Sequence, residues 1–231
     1  MEKFSAIVLA AGSGSRMGLN VKKQYLDLCG KPLMYYALDA FEKSRVDEVV
    51  LVVSPGDEEY VRKEILEPYG FTKITAIVPG GKERYDSVYE GLKACTGDYV
   101  LIHDGARAFV TKEIISHAID DVVKYNANVV AVPAKDTIKL ADAQGFVSDT
   151  VDRRYAWNIQ TPQCFAYDLV KKAYEDALKG DTTGITDDAM IVEKMTDQKV
   201  KFTMGSYDNI KVTTIEDLSL GEIILKKQKR C

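Results

Sequence analysis

A chain of 231 residues with 46% hydrophobic and 29% charged side chains has the balance of an ordinary globular protein. It is long enough to bury a core without disulfides or a structural metal. Its formal net charge of −4 excludes a dominant nucleic-acid surface, which needs a basic excess, but leaves room for a local basic pocket. No apolar run approaches the ~20 residues of a membrane span. No charged leader with a long apolar stretch precedes the first strand. A cytoplasmic protein is expected, without nucleic acid or membrane as partners. Cys29, Cys95, Cys164 and Cys231 form no CxxC pair and are accompanied by only two histidines. Free thiols in a reducing cytosol, and no transition-metal site, follow as expectations.

In chain order, Ser5–Ala11 is a nearly continuous apolar run, as expected of a strand covered on both faces. A helical pattern over Leu33–Lys43 leads to a second such strand, Glu48–Val53, closed by Ser54-Pro55-Gly56-Asp57. A helix over Glu58–Leu66 and a strand over Lys73–Val78 come next, then Pro79-Gly80-Gly81 and a helix over Asp86–Ala94. Strand Tyr99–His103 precedes helix Lys112–Lys124, whose Ile114, Ile115, Ala118, Ile119, Val122 and Val123 share one face, with Thr111 as its cap. Strand Asn128–Pro133 ends this rhythm. Two short runs, Thr137–Leu140 and Phe146–Val151, flank the turn signal Ala141–Gly145 and predict a hairpin. It has too few apolar residues to stand alone, so it is expected to pack on something, a second subunit being one candidate. Helices Ala166–Leu178 and Asp188–Met195, strand Val200–Met204, a strand-like Asn209–Thr213 and helix Ile215–Lys226 complete the chain. Strands alternating with helices predict an α/β fold: a Rossmann-like, mostly parallel twisted sheet with a protruding β-hairpin arm. No internal repeat or linker divides it, so residues 1–231 are expected to be one domain.

The first strand runs into Leu9-Ala10-Ala11-Gly12-Ser13-Gly14-Ser15-Arg16-Met17-Gly18. Small residues directly after a buried strand let the backbone turn tightly and present N–H groups to phosphate oxygens. The dinucleotide fingerprint would need glycine where Met17 stands, and the Walker loop would need Gly-Lys-Ser/Thr at its end. This is a phosphate loop of another kind, carrying its own cation, Arg16, with Lys22 and Lys23 shortly after.

Together with this loop, the strings KQYL (23–26), PGGKERYDSV (79–88), HDGARAF (103–109), KDTIK (135–139), VDRR (151–154), WNIQTPQCF (157–165), TDDA (186–189) and DNIKVT (208–213) resemble, in order and over essentially the whole chain, the 2-C-methyl-D-erythritol 4-phosphate cytidylyltransferases. The resemblance implies cytidylyl transfer from CTP to a small phosphorylated polyol, with release of pyrophosphate and Mg²⁺ held mainly by the CTP phosphates. By similarity, Arg16 and Lys23 contact those phosphates. The backbone of Ala10, Ala11, Gly12 and Gly14 cradles the triphosphate. Gly80, Gly81 and Ser87 read the cytosine, and Asp104 lies near the ribose, as a possible metal ligand. Thr137, Arg153, Thr161, Thr186 and Lys211 match the positions that hold the second substrate, with Arg153 and Lys211 counted as catalytic. The resemblance also makes 135–155 a dimerisation arm whose Thr137 and Arg153 complete the partner's site in a homodimer.

Several positions depart from the family pattern. Lys22 stands where proline is common, Lys82 where an acidic residue is frequent, and Gly105-Ala106-Arg107-Ala108 replaces Ala-Arg-Pro. Arg84 and Asp86 read as a local ion pair. His103 reads as a satisfied polar residue, His117 as structural or surface, and Trp157 and Tyr25 as packing residues. Ribitol-5-phosphate cytidylyltransferases share the glycine loop and the TPQ segment and stand as the alternative. A CTP-binding regulator without catalysis is the alternative of another class.

Overall fold

The structure, a computed structural model, describes residues 2–12 and 22–231. Among them, one sheet has the strand order β11-β7-β10-β6-β1-β4-β5. Its strands are β1 (Phe4–Ala10), β4 (Glu48–Val53), β5 (Ile74–Pro79), β6 (Tyr99–Asp104), β7 (Ala127–Pro133), β10 (Trp157–Ala166) and β11 (Lys201–Met204). β1 lies between β4 and β6 in parallel register, with Val8 facing Leu51 and His103. β4 and β5 pair in parallel, as do β7 and β11, while β10 runs antiparallel to both β6 and β7. All six residues of β4 are buried, as β-branched runs covered by helices on both faces require.

One face is covered by α1 (Leu33–Glu42) and α5 (Lys112–Tyr125), whose Met34, Leu38, Phe41, Ile115 and Ile119 join Val8 and Leu51. The other face carries α4 (Arg84–Ala94), α6 (Tyr167–Ala177) and α7 (Asp188–Met195), with Val88, Leu92, Val170, Tyr174 and Val192 against Ile7 and Ile102. A third cluster forms where α8 (Glu216–Lys227) lays Ile224 and Leu225 on Leu28, Leu33, Tyr36 and Phe109. Beneath it, the short strands β2 (Asp27–Leu28) and β3 (Lys31–Pro32) form a tight turn. The expected helix after β4 is divided: α2 (Glu58–Tyr60), a π-helical stretch Val61–Leu66, and α3 (Glu67–Tyr69), which ends at left-handed Gly70.

Four expectations need correction. The sequence reading assigns no strand to β10, because its polar Asn158, Gln160, Thr161 and Gln163 interrupt any apolar run; Asn158 is exposed, while the buried Gln160, Thr161 and Gln163 bond to Ser206 O, His103 and Asp187. Its pairing with β7 shifts register between Ile159 and Gln163, around a cis Thr161–Pro162 bond. Asn209–Thr213 is not a strand; it is tied to the sheet region by the Val212 N–H donating to Ala106 O at 2.9 Å. Cys29 and Cys231 are not free thiols but form a disulfide, while Cys95 and Cys164 are free and buried. Two cysteines 202 positions apart carry no spacing signal, so only the packing of α8 beside the β2–β3 turn could reveal this pair. The fourth correction, the partner of Arg84, belongs to the site.

The hairpin is present as β8 (Lys139–Ala141) and β9 (Val147–Thr150), in antiparallel pairing. Every residue of both strands is exposed. Phe146 and Tyr155 beside them are 72% and 76% exposed, so within its own chain the hairpin packs its apolar side chains on nothing substantial.

Candidate active site

The loops at the carboxyl ends of β1, β4, β5 and β6 converge, as parallel α/β sheets arrange their ligand-binding edge. Gly105 N–H donates to Leu9 O at 2.8 Å and Gly80 N–H to Val53 O at 2.7 Å. Gln24, buried in the short 3₁₀ turn Lys23–Tyr25, donates to Ala10 O at 2.7 Å, and Ser54 Oγ donates to Ala11 O at 3.0 Å. The start of the glycine loop is thereby fixed from two sides, with its Ala10 and Ala11 carbonyls occupied. Gly12 has open space where a side chain would stand. Gly14 and Arg16 lie outside the described residues.

Gly80 meets Ala11 so closely that a Cβ on it would lie 2.5 Å from Ala11 Cβ and 2.8 Å from Ser87 Oγ. Glycine is therefore required where the two loops touch. Ser87 Oγ accepts from the Gly81 N–H and donates to Glu83 O, both at 3.1 Å. A reciprocal capping box between Glu83 and Asp86 starts α4. Asp86 is thus spent on the helix start and not on Arg84, contrary to the expected local pair.

Arg84 instead reaches across the site. Its two Nη atoms pair with both oxygens of Asp188 at 2.8 Å, and its Nε lies 3.3 Å from Asp104 Oδ1. Lys211 Nζ takes the other Asp104 oxygen at 2.7 Å, and Arg107 Nε approaches it to 3.9 Å. Burial works against the Asp104 charge, but Arg84, Lys211 and Arg107 outweigh it and hold the carboxyl far below the usual carboxylate range. Burial likewise opposes the Arg84 charge, and Asp188 and Asp104 hold it firmly protonated. Lys23 Nζ donates to Val212 O at 3.3 Å, next to Lys211. Among the described residues, three cations, Arg84, Arg107 and Lys211, thus meet two carboxylates, and Lys23 lies next to Lys211. That surplus attracts phosphate oxygens and can stabilise charge added to them.

His103 and Thr161 set the backbone beneath this cluster. His103 Nε2 lies 3.1 Å from Arg107 O, and a carbonyl only accepts, so Nε2 carries the proton. Nδ1 then accepts from Thr161 Oγ1 at 2.9 Å, and that oxygen accepts from the Asp104 N–H at 3.1 Å. Burial lowers the His103 pKa to about 4, consistent with this neutral ring. His103 is the satisfied polar residue expected from sequence, and the Thr161 hydroxyl works chiefly on the placement of Asp104. Arg107 Nη1 donates to Asn209 O at 2.9 Å, which ties the 209–213 segment to β6 and delivers Lys211.

The remaining expected residues stand apart. Thr137 and Arg153 are exposed at the two ends of the hairpin, with Arg153 Nη1 donating to Lys135 O at 3.1 Å. Among the described residues they share no hydrogen bond or ion pair with the Asp104 cluster. Thr186 is exposed just before α7. Trp157 stacks on Phe202, and Tyr25 packs edge-on against Tyr60 while its hydroxyl donates to Asp57 at 2.7 Å. Sequence reasoning missed the central placement of Arg84, Arg107 and Asp188. All three lie inside quoted motifs, but Arg84 finds its partners 20 and 104 residues away and Arg107 donates to Asn209 O 102 residues away, and no local pattern names such partners.

Comparison with known proteins shows the family. The family model for 2-C-methyl-D-erythritol 4-phosphate cytidylyltransferase matches residues 4–227. The chain is 46% identical over 230 residues to the 2-C-methyl-D-erythritol 4-phosphate cytidylyltransferase of Lachnoclostridium phytofermentans, covering 99% of each chain. It is 48% identical over 225 residues to that of Lachnospira eligens, covering 96% of this chain and 99% of the relative. The crystal structure of 4-diphosphocytidyl-2C-methyl-D-erythritol synthase from Anaerococcus prevotii superposes with a TM-score of 0.87 at 35% identity, covering 97% of this chain and 96% of that one. With its sheet, its converging loops and its full-length similarity in accord, the chain belongs to the 2-C-methyl-D-erythritol 4-phosphate cytidylyltransferase family.

Proposed function

We propose that the cation cluster on Asp104 is where this cytidylyltransferase joins CTP to 2-C-methyl-D-erythritol 4-phosphate. The products are 4-diphosphocytidyl-2-C-methyl-D-erythritol and pyrophosphate, and the reaction belongs to the non-mevalonate isoprenoid pathway. The observation that carries the site is the convergence of Lys23, Arg84, Arg107 and Lys211 on one edge of the sheet, beside the first glycine loop and Gly80-Gly81.

The acceptor is a phosphate monoester, already anionic near neutral pH, so no strong base is needed. One of its oxygens forms a bond to the α-phosphorus of CTP, and the bond from that phosphorus to the bridging oxygen breaks as pyrophosphate leaves. Catalysis rests on alignment and on stabilising the charge added at the α-phosphate. Lys23, with Arg16 from the glycine loop, serves the triphosphate; Lys211 serves the phosphate that attacks. The Ala10–Gly14 backbone cradles the phosphates, while Gly80, Gly81 and Ser87 face the cytosine and Asp104 the ribose. Thr161 acts beside Asp104, and Thr186 contributes to the polyol side.

Mg²⁺ fits this reading as a companion of CTP. It is a hard cation that keeps oxygen ligands and waters, and when bound it offsets charge on the triphosphate and the departing pyrophosphate. Asp104 is the carboxylate of the cluster suited to touch it, but both its oxygens serve Arg84 and Lys211. The phosphate oxygens are therefore the main ligands.

The whole chain acts as one catalytic unit, with residues 135–155 as an arm. The exposed hairpin, and the exposed Thr137 and Arg153 at its ends, support a homodimer in which each arm supplies these two residues to the other subunit's polyol site. A cytoplasmic location completes the reading. Among the described residues, no helix is long and apolar enough to cross a membrane.

The test is pyrophosphate release by purified protein with Mg²⁺, crossing CTP, ATP, UTP and GTP against methylerythritol 4-phosphate and ribitol 5-phosphate. Release confined to CTP with methylerythritol phosphate is expected, and loss of release on chelation. Preference for ribitol phosphate would keep the chemistry and overturn the acceptor. CTP binding without release from any pair would leave a nucleotide-binding protein.

A further inference from the structure

Asp188, on the first turn of α7, is fully buried and lies outside the residues assigned to either substrate. It accepts both Nη atoms of Arg84 at 2.8 Å and the Tyr174 hydroxyl at 2.5 Å. The two-pronged pairing fixes the plane of the guanidinium. Two of the five guanidinium N–H groups are committed to Asp188, and the Nε edge meets Asp104 Oδ1 at 3.3 Å. The anchor is itself braced. Gln163 of β10 accepts from the Ala189 N–H at 2.9 Å and donates to Asp187 Oδ2 at 3.0 Å, and Asp187 caps α7 by accepting from the Met190 N–H. A chain of directional contacts thus runs from Tyr174 through Asp188, Arg84 and Asp104 to Lys211.

We propose that Asp188 is a positioning residue for the reaction: by holding Arg84 it fixes the orientation of the Asp104 carboxylate, and with it Lys211. The inference rests on the reading of the Asp104 cluster given above. A buried ion pair often adds little stability over well-packed apolar side chains, so the net stability of the fold gives little reason for this pair. Its geometry does something an apolar pair would not. It leaves one N–H of a rotationally fixed guanidinium pointing at the carboxylate that orders the site. Lys211 then stands 2.7 Å from an oxygen whose position is set from the opposite side. Misplacement of a reacting group by about 1 Å can cost roughly 100-fold in rate, so loss of the anchor is felt in turnover even where Asp188 touches no substrate.

The experiment is a double-mutant cycle between Asp188→Asn and Asp104→Asn, read in kcat and KM for both substrates, with thermal unfolding of each variant alongside. Asp188→Asn alone is expected to lower kcat/KM by about 10- to 100-fold. In the Asp104→Asn background it is expected to change it less than about threefold, because its effect passes through Asp104. Equal effects in the two backgrounds would overturn the proposal and leave Asp188 a fold-stabilising residue. If Asp188→Asn does not fold, Arg84→Lys takes its place in the cycle. It keeps the charge and loses the fork, and the same criterion decides. If the wild-type enzyme binds CTP but shows no turnover, the reading of the reaction fails separately. The cycle is then read in the CTP dissociation constant, where additivity sinks the positioning role and non-additivity upholds it.

Discussion

Lys22 and Lys23 are neighbours with opposite surroundings. Lys23 reaches Val212 O beside Lys211, whereas Lys22 points to Asp57 at 2.6 Å in a partly exposed pair. Lys23→Ala is expected to lower kcat by about 100- to 1000-fold, the usual cost of deleting one group that stabilises transition-state charge. Lys22→Ala loses a pair of small worth and should stay within about threefold of wild type. Steady-state pyrophosphate release for the two variants checks this, and equal losses would sink the assignment of Lys23. His103 yields a second expectation. Its ordinary pKa of 6.5 falls to about 4 on burial, so the unfolded chain takes up a proton below pH 6.5 while the folded chain stays neutral until about 4. Stability therefore falls as pH drops through that window, by at most about 3 kcal/mol. Asp104 loses its contribution only as pH falls below its unfolded value of 3.8, beneath that window. Urea unfolding between pH 4.5 and 7.5 should show the slope, and His103→Gln should flatten it.

At the level of elements, α8 is held to the β2–β3 turn by the Cys29–Cys231 disulfide. Nearby, Arg230 donates to Val110 O at 3.1 Å and to Tyr36 O, while Gln228 Nε2 donates to Phe109 O at 3.0 Å. A cross-link closing so long a loop restricts the unfolded chain, and native disulfides contribute about 2–4 kcal/mol. At this chain length that corresponds to roughly 4–16 °C. Reduction, or Cys231→Ser, should lower the melting midpoint by that order. Thiol titration of unreduced folded protein should find Cys95 and Cys164 shielded and no reactive thiol among Cys29 and Cys231; two reactive thiols there would refute the bond. The hairpin is the opposite kind of element, with its strands exposed throughout. If it is exchanged between subunits, mixing inactive Arg153→Ala and Lys23→Ala chains should restore activity. Random pairing leaves about a quarter of the sites with both residues intact. No recovery after mixing and re-equilibration would place the arm with its own subunit.

For the whole molecule, the central parallel strands and their covering helices were legible in sequence because each must bury a face by itself. A run such as Glu48–Val53, with five consecutive apolar residues after Glu48, fits little but a strand covered on both sides, and the Lys112–Tyr125 face reads directly as a helix. Motif order also carried the resemblance to the family; PGG and HDGAR stand at the carboxyl ends of β5 and β6, while TPQ lies within β10. Elements stabilised by distant polar partners were not legible. β10 owes its place to buried Gln160, Thr161 and Gln163 finding Ser206 O, His103 and Asp187, and the 209–213 segment is held by Arg107 and Ala106 rather than by a ladder. The sequence alone determined the fold class, because hydrophobic period is local, and the family, through the resemblance that its ordered motifs carry. Only the tertiary structure decided that Arg84 pairs with Asp188 and Asp104, that Thr161, held by His103, accepts the Asp104 N–H, and that Cys29 meets Cys231. Those outcomes depend on which residues the closed sheet brings within about 3–4 Å, where charge pairing and hydrogen bonding act.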